Sequence, residues 1–192
     1  MAPSVSGELV GVVGVVIAGS LSGMDGVTIR RLNERDSIEA ITEMLHRAYA
    51  PLAEAGMRYL ASHQDVEMTL KRTFGHMTEC WVAERDGLLV GVVTLRLEGT
   101  DECSYFNRPG VASFEQFAVD PHEQGHGVGE ALLDTIERRA ARHGAVELGC
   151  DTSEKADRLI AMYRRRGYEI VETADWAVTN YASVILSKRL IA

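Results

Sequence analysis

The sequence of 192 residues has few cysteines, and they are scattered: Cys80, Cys103 and Cys150 form neither a Cys-x-x-Cys pair nor a Cys/His cluster. An odd number of cysteines at such spacing provides neither a disulfide framework nor a zinc site. We therefore expect a reducing, cytoplasmic location and no bound metal. Cys150 follows an apolar stretch, which is more typical of a small buried side chain than of a nucleophile.

Basic residues are also in short supply. Lys and Arg number 20 against 28 Asp and Glu, so the formal net charge is −8. A protein that binds DNA or RNA needs clustered cations to neutralise phosphates, and we expect no nucleic-acid partner. The acidic surplus would attract a cationic substrate such as a protonated amine, although acidity also serves solubility alone.

One apolar run, residues 9–18, stands out near the amino terminus. It is too short to span a bilayer, and Glu8 precedes it where a secretory signal carries positive charge. We predict no membrane partner and a poorly ordered extension over residues 1–26, with Met24 as a natural beginning. A weak secretion signal is the alternative.

From residue 27 onward, apolar spacing alternates between strand and helix periods. Asp86-Gly87 separates two β-rich runs and predicts a hairpin. The first helix is expected to end before Pro51, and residues 98–110 form an expected exposed loop with an acidic rim. Residues 27–192 are thus predicted to form a single mixed α/β domain. The predicted strands are residues 27–32, 81–84, 88–97, 113–119, 145–150, 168–172 and 181–187, and the predicted helices begin near residues 38, 65, 128 and 156.

A glycine-rich turn between the strand at residues 113–119 and the next helix carries the chemistry. Gly125, Gly127 and Gly129 lie in this turn. The first turn of a helix leaves backbone N–H groups without partners, and the helix dipole adds positive character there. Because glycine has no Cβ, the backbone can wrap closely around an anion. The sequence therefore predicts a cradle for a diphosphate.

Spacing distinguishes this turn from other nucleotide-binding loops. A dinucleotide fingerprint requires Gly-x-Gly-x-x-Gly, but counting from Gly125 places Glu130 at the third glycine position. That carboxylate would repel a pyrophosphate, which argues against a nucleotide-binding oxidoreductase. No Gly-Lys-Ser or Gly-Lys-Thr is present either, so a Walker loop is excluded.

The pattern Gln124-x-x-Gly127-x-Gly129 resembles the Q/R-x-x-G-x-G/A motif of the GNAT superfamily of acetyl-CoA-dependent N-acetyltransferases. Val119-Asp-Pro before the loop, Leu-Leu in the helix and a segment ending Tyr163-Arg-Arg-Arg-Gly-Tyr follow the same family order. The resemblance implies an α/β fold: a mixed, largely antiparallel sheet with splayed central parallel strands, flanked by about four helices.

The resemblance also assigns a cofactor site for acetyl-CoA. Main-chain groups next to the splayed strands would pair with the pantetheine arm, and the turn would hold the diphosphate. Many family members carry Asn where this chain has Ala156, so that contact is expected to be lost or moved to Ser153. The residues assigned to the cofactor are Phe117, Ala118, Val119, Gln124, Gly125, His126, Gly127, Val128, Gly129, Glu130 and Ser153.

Three residues are candidates for catalysis. Tyr163 matches the family's tyrosine that protonates the thiolate leaving group, although its helical spacing also fits inward packing. A base must remove a proton from the acceptor ammonium. Asp151 and Glu115 are the two candidates, and Asp151, with Glu154 three residues on, also has the layout of a helix cap. The imidazoles of His122 and His126 are expected to be surface groups without function.

The expected reaction is direct attack by a primary amine of a small molecule or peptide, in a ternary complex with acetyl-CoA. Residues 50–64 and 98–110 are the segments expected to select that amine. A non-catalytic acetyl-CoA-binding regulatory module is the alternative, and the presence of Tyr163 argues against it. The chain is expected to be a monomer or a homodimer.

Overall fold

The computed structural model describes residues 24–99 and 103–191. Within them the chain forms one sheet in the order β1-β2-β3-β4-β5-β7-β6, in which β4 and β5 are parallel and every other neighbouring pair is antiparallel. The strands are β1 (Val27–Arg31), β2 (Thr78–Arg85), β3 (Leu88–Arg96), β4 (Val111–Val119), β5 (Glu147–Ser153), β6 (Glu169–Asp175) and β7 (Ala182–Arg189), and the α-helices are α1 (Ile38–Glu54), α2 (Val66–Thr73), α3 (Val128–His143) and α4 (Asp157–Arg165).

The described structure begins just before β1. Residues 1–23, which make up most of the predicted extension, lie outside the described residues. Met24 packs against the core, and its carbonyl accepts a hydrogen bond from the Val27 N–H at 3.0 Å. The packed structure therefore includes the turn just before β1.

Helices cover both faces of the sheet. On one face, α3 buries Leu132, Leu133 and Ile136, and α4 adds Tyr163. On the other face, α1 buries an apolar group, Ile41, Met44 and Leu45, against β2 and β3. This layered arrangement confirms the predicted mixed α/β class with four helices around a largely antiparallel sheet.

Turn chemistry determines the β2–β3 hairpin as predicted. Asp86 and Gly87 have positive φ angles of 51° and 79°, which a two-residue turn joining twisted strands requires at both positions. Gly144 closes α3 with a φ of 101° and donates its N–H to the last turn of the helix.

The expectation that the first helix ends before Pro51 is wrong, because α1 continues to Glu54. Proline cannot donate the N–H bond one turn back, yet its carbonyl accepts the Ala55 N–H at 3.1 Å and keeps the last turn closed. Leu52 in that turn packs against a cluster that contains Tyr59. Tertiary packing thus compensates for one missing helical hydrogen bond.

The segment predicted as an exposed loop, residues 98–110, is exposed only in part. Cys103, Tyr105 and Phe106 are buried together with Ile185 of β7. The Tyr105 hydroxyl donates to Glu147 Oε2 at 2.6 Å. Because the segment is polar overall, its sequence did not predict this small buried cluster. Asp101 and Glu102, expected in the acidic rim, lie outside the described residues.

Candidate active site

The central strands separate at the middle of the sheet. Pairing between β4 and β5 covers Val111–Ser113 and Glu147–Gly149, and in the described part of the chain it extends no further. Beyond these residues β4 still pairs with β3, and β5 with β7. A cleft therefore opens between the carboxyl ends of β4 and β5, where main-chain groups of both strands are free of each other.

A bulge in β4 sets which side chains face each side of this cleft. Glu115 pairs with Thr94 and Ala118 pairs with Val92, so two residues of β4 oppose one residue of β3. Gln116 in the bulge has a φ of 50°, which is uncommon for a residue other than glycine. In a regular strand the side chains of residues 114 and 117 would lie on opposite faces of the sheet. The extra residue in the bulge places them on the same face.

Buried hydrogen bonds hold the bulge. The Gln116 Nε2 donates to Thr94 Oγ1 at 3.0 Å, and its Oε1 accepts from Gln64 Nε2 at 2.8 Å. Gln64 also donates to Thr69 Oγ1 at 2.7 Å, which joins the bulge to α2. All four side chains are buried. A satisfied network of this kind compensates for the strained backbone.

The glycine turn has the geometry of an anion cradle. α3 begins at Val128 after Gly127, whose φ is 84°, and no side chain caps the helix. In the described part of the chain, none of the backbone N–H groups of residues 125–130 donates a hydrogen bond. Gly125 has a φ of 80°, and a Cβ there would meet no atom within 4 Å. These open donors fit a diphosphate.

Two contacts tie this cradle to the end of β4. The Gln124 side chain donates to the Val119 carbonyl at 3.1 Å. At Gly129 a Cβ would lie 3.2 Å from the Phe117 ring, so α3 approaches β4 more closely than an alanine would allow without displacement. Val128 is buried and anchors the first turn of the helix.

Tyr163 lies beneath the splayed strands on the α3–α4 side. Its ring contacts Phe114 and Phe117, with centroids 5.9 and 6.5 Å away, and Tyr168 at 5.6 Å. Burial raises the pKa of its hydroxyl well above the ordinary value. The phenol therefore stays protonated. Cys150 is buried as predicted, and burial raises its pKa too.

Asp151 lies inside β5, opposite Ile185 of β7. The interpretation of Asp151 as a helix cap is wrong, because α4 begins only at Asp157 with Ala156 at its N-cap. The Asp151 Oδ2 accepts a hydrogen bond from Trp176 Nε1 at 2.9 Å. Burial among the surrounding groups raises the pKa of the carboxyl, although the residue reaches solvent. Both properties fit a carboxyl at the bottom of an open cleft.

Glu115, the other candidate base, is bound by two arginines. Arg72 Nε donates to Glu115 Oε2 at 2.8 Å, and Arg96 Nε donates to Oε1 at 2.6 Å. Arg72 Nη1 also donates to Gln64 Oε1 at 2.6 Å. Both carboxylate oxygens are therefore engaged, and the cluster of two arginines and one glutamate keeps one positive charge.

An aromatic wall that the sequence did not indicate borders the cleft on the α1–α2 side. The Tyr49 hydroxyl donates to the Phe117 carbonyl at 3.0 Å. Tyr59 lies between Tyr49 and Tyr181, with ring centroids 5.3 and 4.9 Å away. Tyr59 falls in the segment expected to select the acceptor, whereas no sequence signal marked Tyr49, Tyr181 or Trp176.

Ser153 is less open than its expected role requires. Its side chain is fully buried, its Oγ accepts the Lys155 N–H at 3.2 Å, and its own N–H donates to the Tyr59 hydroxyl at 3.1 Å. His126, by contrast, is exposed and lies 3.9 Å from Glu123. The buried Ser153 already has hydrogen-bond partners, and the exposed His126 side chain lies near a carboxylate. Neither side chain is as available to a phosphate as the N–H groups of the turn.

The described residues include neither a metal-binding cluster nor a membrane-spanning helix. No group of three or more His, Cys, Asp and Glu side chains there could hold a metal ion. Within the same residues no helix has the length and apolar character needed to cross a membrane.

A cleft between splayed parallel strands, an anion cradle at the next helix and a buried tyrosine beneath them define a coenzyme A-dependent acyltransferase. The sequence profile of the acetyltransferase (GNAT) family matches residues 38–168. The chain belongs to this family and is an N-acetyltransferase that uses acetyl-CoA as its cosubstrate.

Two curated relatives come from Bacillus subtilis. The S-(2-succino)cysteine N-acetyltransferase is 36% identical over 139 residues, which cover 70% of this chain and 79% of the relative. The S-alkylcysteine N-acetyltransferase is 29% identical over 146 residues, which cover 74% of this chain and 79% of that protein. Both relatives are named as enzymes that acetylate cysteine derivatives.

Solved structures share the fold at low sequence identity. The ribosomal-protein-S18-alanine N-acetyltransferase from Escherichia coli matches with a TM-score of 0.65 and 18% identity, covering 86% of this chain and 95% of the other. A GNAT family acetyltransferase from Elizabethkingia anophelis, solved with acetyl-CoA bound, matches with a TM-score of 0.60 and 16% identity, covering 86% and 99%.

Proposed function

We propose that the protein transfers the acetyl group of acetyl-CoA to the α-amine of an S-substituted cysteine. The observation that carries this proposal is that the acceptor side of the cleft holds charges of both signs: Asp151 lies within electrostatic reach of Arg72 and of Glu115, which Arg72 binds. Burial raises the pKa of Asp151, the hydrogen bond from Trp176 lowers it in part, and smaller effects come from Glu115, which raises it, and from Arg72, which lowers it. A free amino acid carries the complementary pair, an ammonium and a carboxylate.

Arg72 has capacity left for such a carboxylate. An arginine side chain offers five N–H donors, and Arg72 uses three of them, two on Glu115 and one on Gln64. With Arg96 also bound to Glu115, the cluster keeps a positive charge beside the cleft. A simple amine without a carboxylate would leave this charge unmatched, which favours an α-amino acid over a monoamine.

Asp151 serves as the base in this proposal. An amine is nucleophilic only when neutral, so the acceptor ammonium must lose a proton before its nitrogen bonds to the thioester carbon. Asp151 accepts that proton directly or through water, and its raised pKa brings it closer to the operating pH. Glu115, whose two oxygens are both bound by arginines, acts instead by holding Arg72 in position.

Tyr163 serves as the acid. When the carbon–sulfur bond breaks, the phenol of Tyr163 donates its proton to the departing sulfur and is later reprotonated by solvent. Its raised pKa keeps the proton in place until that moment. The N–H groups of residues 125–130 hold the diphosphate of the cosubstrate, and the main chain at Phe117 and Val119, on the side that faces the cleft, adjoins its pantetheine arm.

The names of the two Bacillus relatives support the choice of acceptor, since both act on cysteine derivatives. The test is acetyl-CoA thiol release with a panel of amines: S-(2-succino)cysteine, S-methylcysteine, free alanine, an alanine-ended peptide and a polyamine. We expect the highest kcat/KM for an S-substituted cysteine. Faster turnover of the peptide or the polyamine would overturn the proposed acceptor.

A further inference from the structure

We infer that a cavity beside the aromatic wall binds a carboxylate on the S-substituent of the acceptor, and that Arg58 determines this preference. The inference rests on the proposed function. The cavity has a volume of about 310 Å³. The residues that line it come from two segments, one after α1 and one between β6 and β7: Arg58, Leu60, His63, Ala177, Val178, Thr179 and Asn180.

Arg58 is the charged group of this cavity without a partner. Its guanidinium makes no ion pair or hydrogen bond in the described part of the chain. Acidic residues outnumber Lys and Arg by 28 to 20 in this protein, so an arginine has many possible partners. An unpaired guanidinium at a cavity wall is instead free to bind a carboxylate with two parallel hydrogen bonds.

The cavity is held in shape independently of the Arg58 side chain. The Asn180 side chain accepts the backbone N–H of Arg58 at 2.8 Å and donates to the Gly56 carbonyl at 2.9 Å. Thr179 Oγ1 donates to the Trp176 carbonyl at 3.2 Å. The two Asn180 bonds join the segments, the Thr179 bond holds the second segment in its turn, and a substitution of the Arg58 side chain leaves all three intact.

The cavity also adjoins the proposed acceptor site. Arg58 and Leu60 flank Tyr59 in sequence, and residues 177–180 connect Trp176, which donates to Asp151 at 2.9 Å, with Tyr181, whose ring lies 4.9 Å from that of Tyr59. An amino acid whose amine reaches Asp151 would therefore direct its side chain toward this cavity. Leu60, Ala177 and Val178 provide apolar walls for a thioether and methylene groups.

The experiment compares two acceptors, S-(2-succino)cysteine and the uncharged S-methylcysteine, in the wild type, Arg58→Gln and Arg58→Lys. One or two lost charge-assisted hydrogen bonds should lower kcat/KM for the succinyl substrate by about 10- to 100-fold in Arg58→Gln. The value for S-methylcysteine should change by less than about threefold. Arg58→Lys should recover part of the loss, because a charge remains without the planar fork.

The matched control is Arg35→Gln. Arg35 is also an exposed arginine whose side chain lacks a partner in the described residues, but it lies before the 17-residue helix α1, roughly 25 Å from its other end. We expect no change for either substrate. Calorimetry should show weaker binding of S-(2-succino)cysteine in Arg58→Gln than in the wild type, and unchanged binding in Arg35→Gln.

Four outcomes oppose the inference. Equal losses for both substrates in Arg58→Gln would mean that Arg58 only supports the loop, and no loss for either would exclude a contact. Activity on S-methylcysteine alone would overturn the carboxylate preference while the proposed function stands. Activity of the wild type on neither substrate would overturn both.

Discussion

The indole Nε1 of Trp176 donates a hydrogen bond to the carboxylate of Asp151 at 2.9 Å, joining the segment after β6 to the open end of β5. Burial raises the pKa of this carboxyl above its ordinary value, and the hydrogen bond from the neutral indole, which favours the charged form, offsets that effect only in part. Glu115 is in the opposite situation, with two guanidinium groups on its two oxygens. The difference between these two carboxyls gives the first prediction.

Asp151→Asn is expected to lower kcat/KM by about 10²-fold or more, since the side chain can no longer accept a proton. In the wild type, kcat/KM should fall as the pH drops through the raised pKa of Asp151. That limb should be absent in Asp151→Asn, and in Glu115→Gln it should remain but move to lower pH, because the negative charge of Glu115 contributes to the raised pKa of Asp151. A pH–rate series on the three proteins measures this. An unchanged acidic limb in Asp151→Asn would exclude Asp151 as the base.

The same substitution is expected to stabilise the fold. Because burial raises the pKa of Asp151 above 3.8, the folded state binds the proton more tightly than the unfolded state. Wild-type stability therefore falls as the pH rises from the ordinary pKa through the raised pKa of the folded state. Asp151→Asn should therefore have a higher Tm than the wild type at pH 7, with a difference that disappears below the ordinary pKa. Thermal unfolding across pH measures this, and a lower Tm at pH 7 would contradict it.

Tyr163→Phe is expected to lower turnover by about 10²-fold or more and to leave acetyl-CoA affinity nearly unchanged, because only the hydroxyl is lost. The matched control is Tyr168→Phe, in which a neighbouring ring loses a hydroxyl that donates to Glu137 at 3.1 Å. That variant should lose some stability and keep its turnover. Single-turnover thiol release and calorimetry separate the two effects; wild-type turnover in Tyr163→Phe would remove the acid role.

Gly125→Ala is expected to weaken acetyl-CoA binding. Gly125 and Gly87 have φ angles of 80° and 79°, and a Cβ at either would meet no protein atom within 4 Å. Alanine should thus cost about 1–2 kcal/mol of stability at both positions. Only at Gly125 would the methyl group stand in the cradle. Calorimetry with acetyl-CoA should show weaker binding in Gly125→Ala alone, and equal affinities would argue against the cradle.

Local sequence was sufficient for features whose cause is local. Asp86-Gly87 determines its hairpin because both positions adopt positive φ, and Gly127 determines the start of α3 in the same way. The apolar period of α3 predicted its buried face. The prediction that the first helix ends before Pro51 is wrong, because packing by the final turn of α1 keeps the helix intact.

The sequence by itself determined the fold class and the glycine turn, and it singled out Tyr163 as the candidate acid, since each depends on a residue type at fixed spacing within one segment. Only the tertiary structure decided the environments of the two carboxyls, because it brings Trp176 to Asp151 across 25 residues, and Arg72 to Glu115 across 43. The bulge at Gln116, which determines the face on which the following β4 side chains lie, likewise depends on a hydrogen bond that Gln116 donates to Thr94 of β3 and on one that it accepts from Gln64. A pKa follows from what surrounds a group in space, and the order of residues along the chain does not contain that information directly.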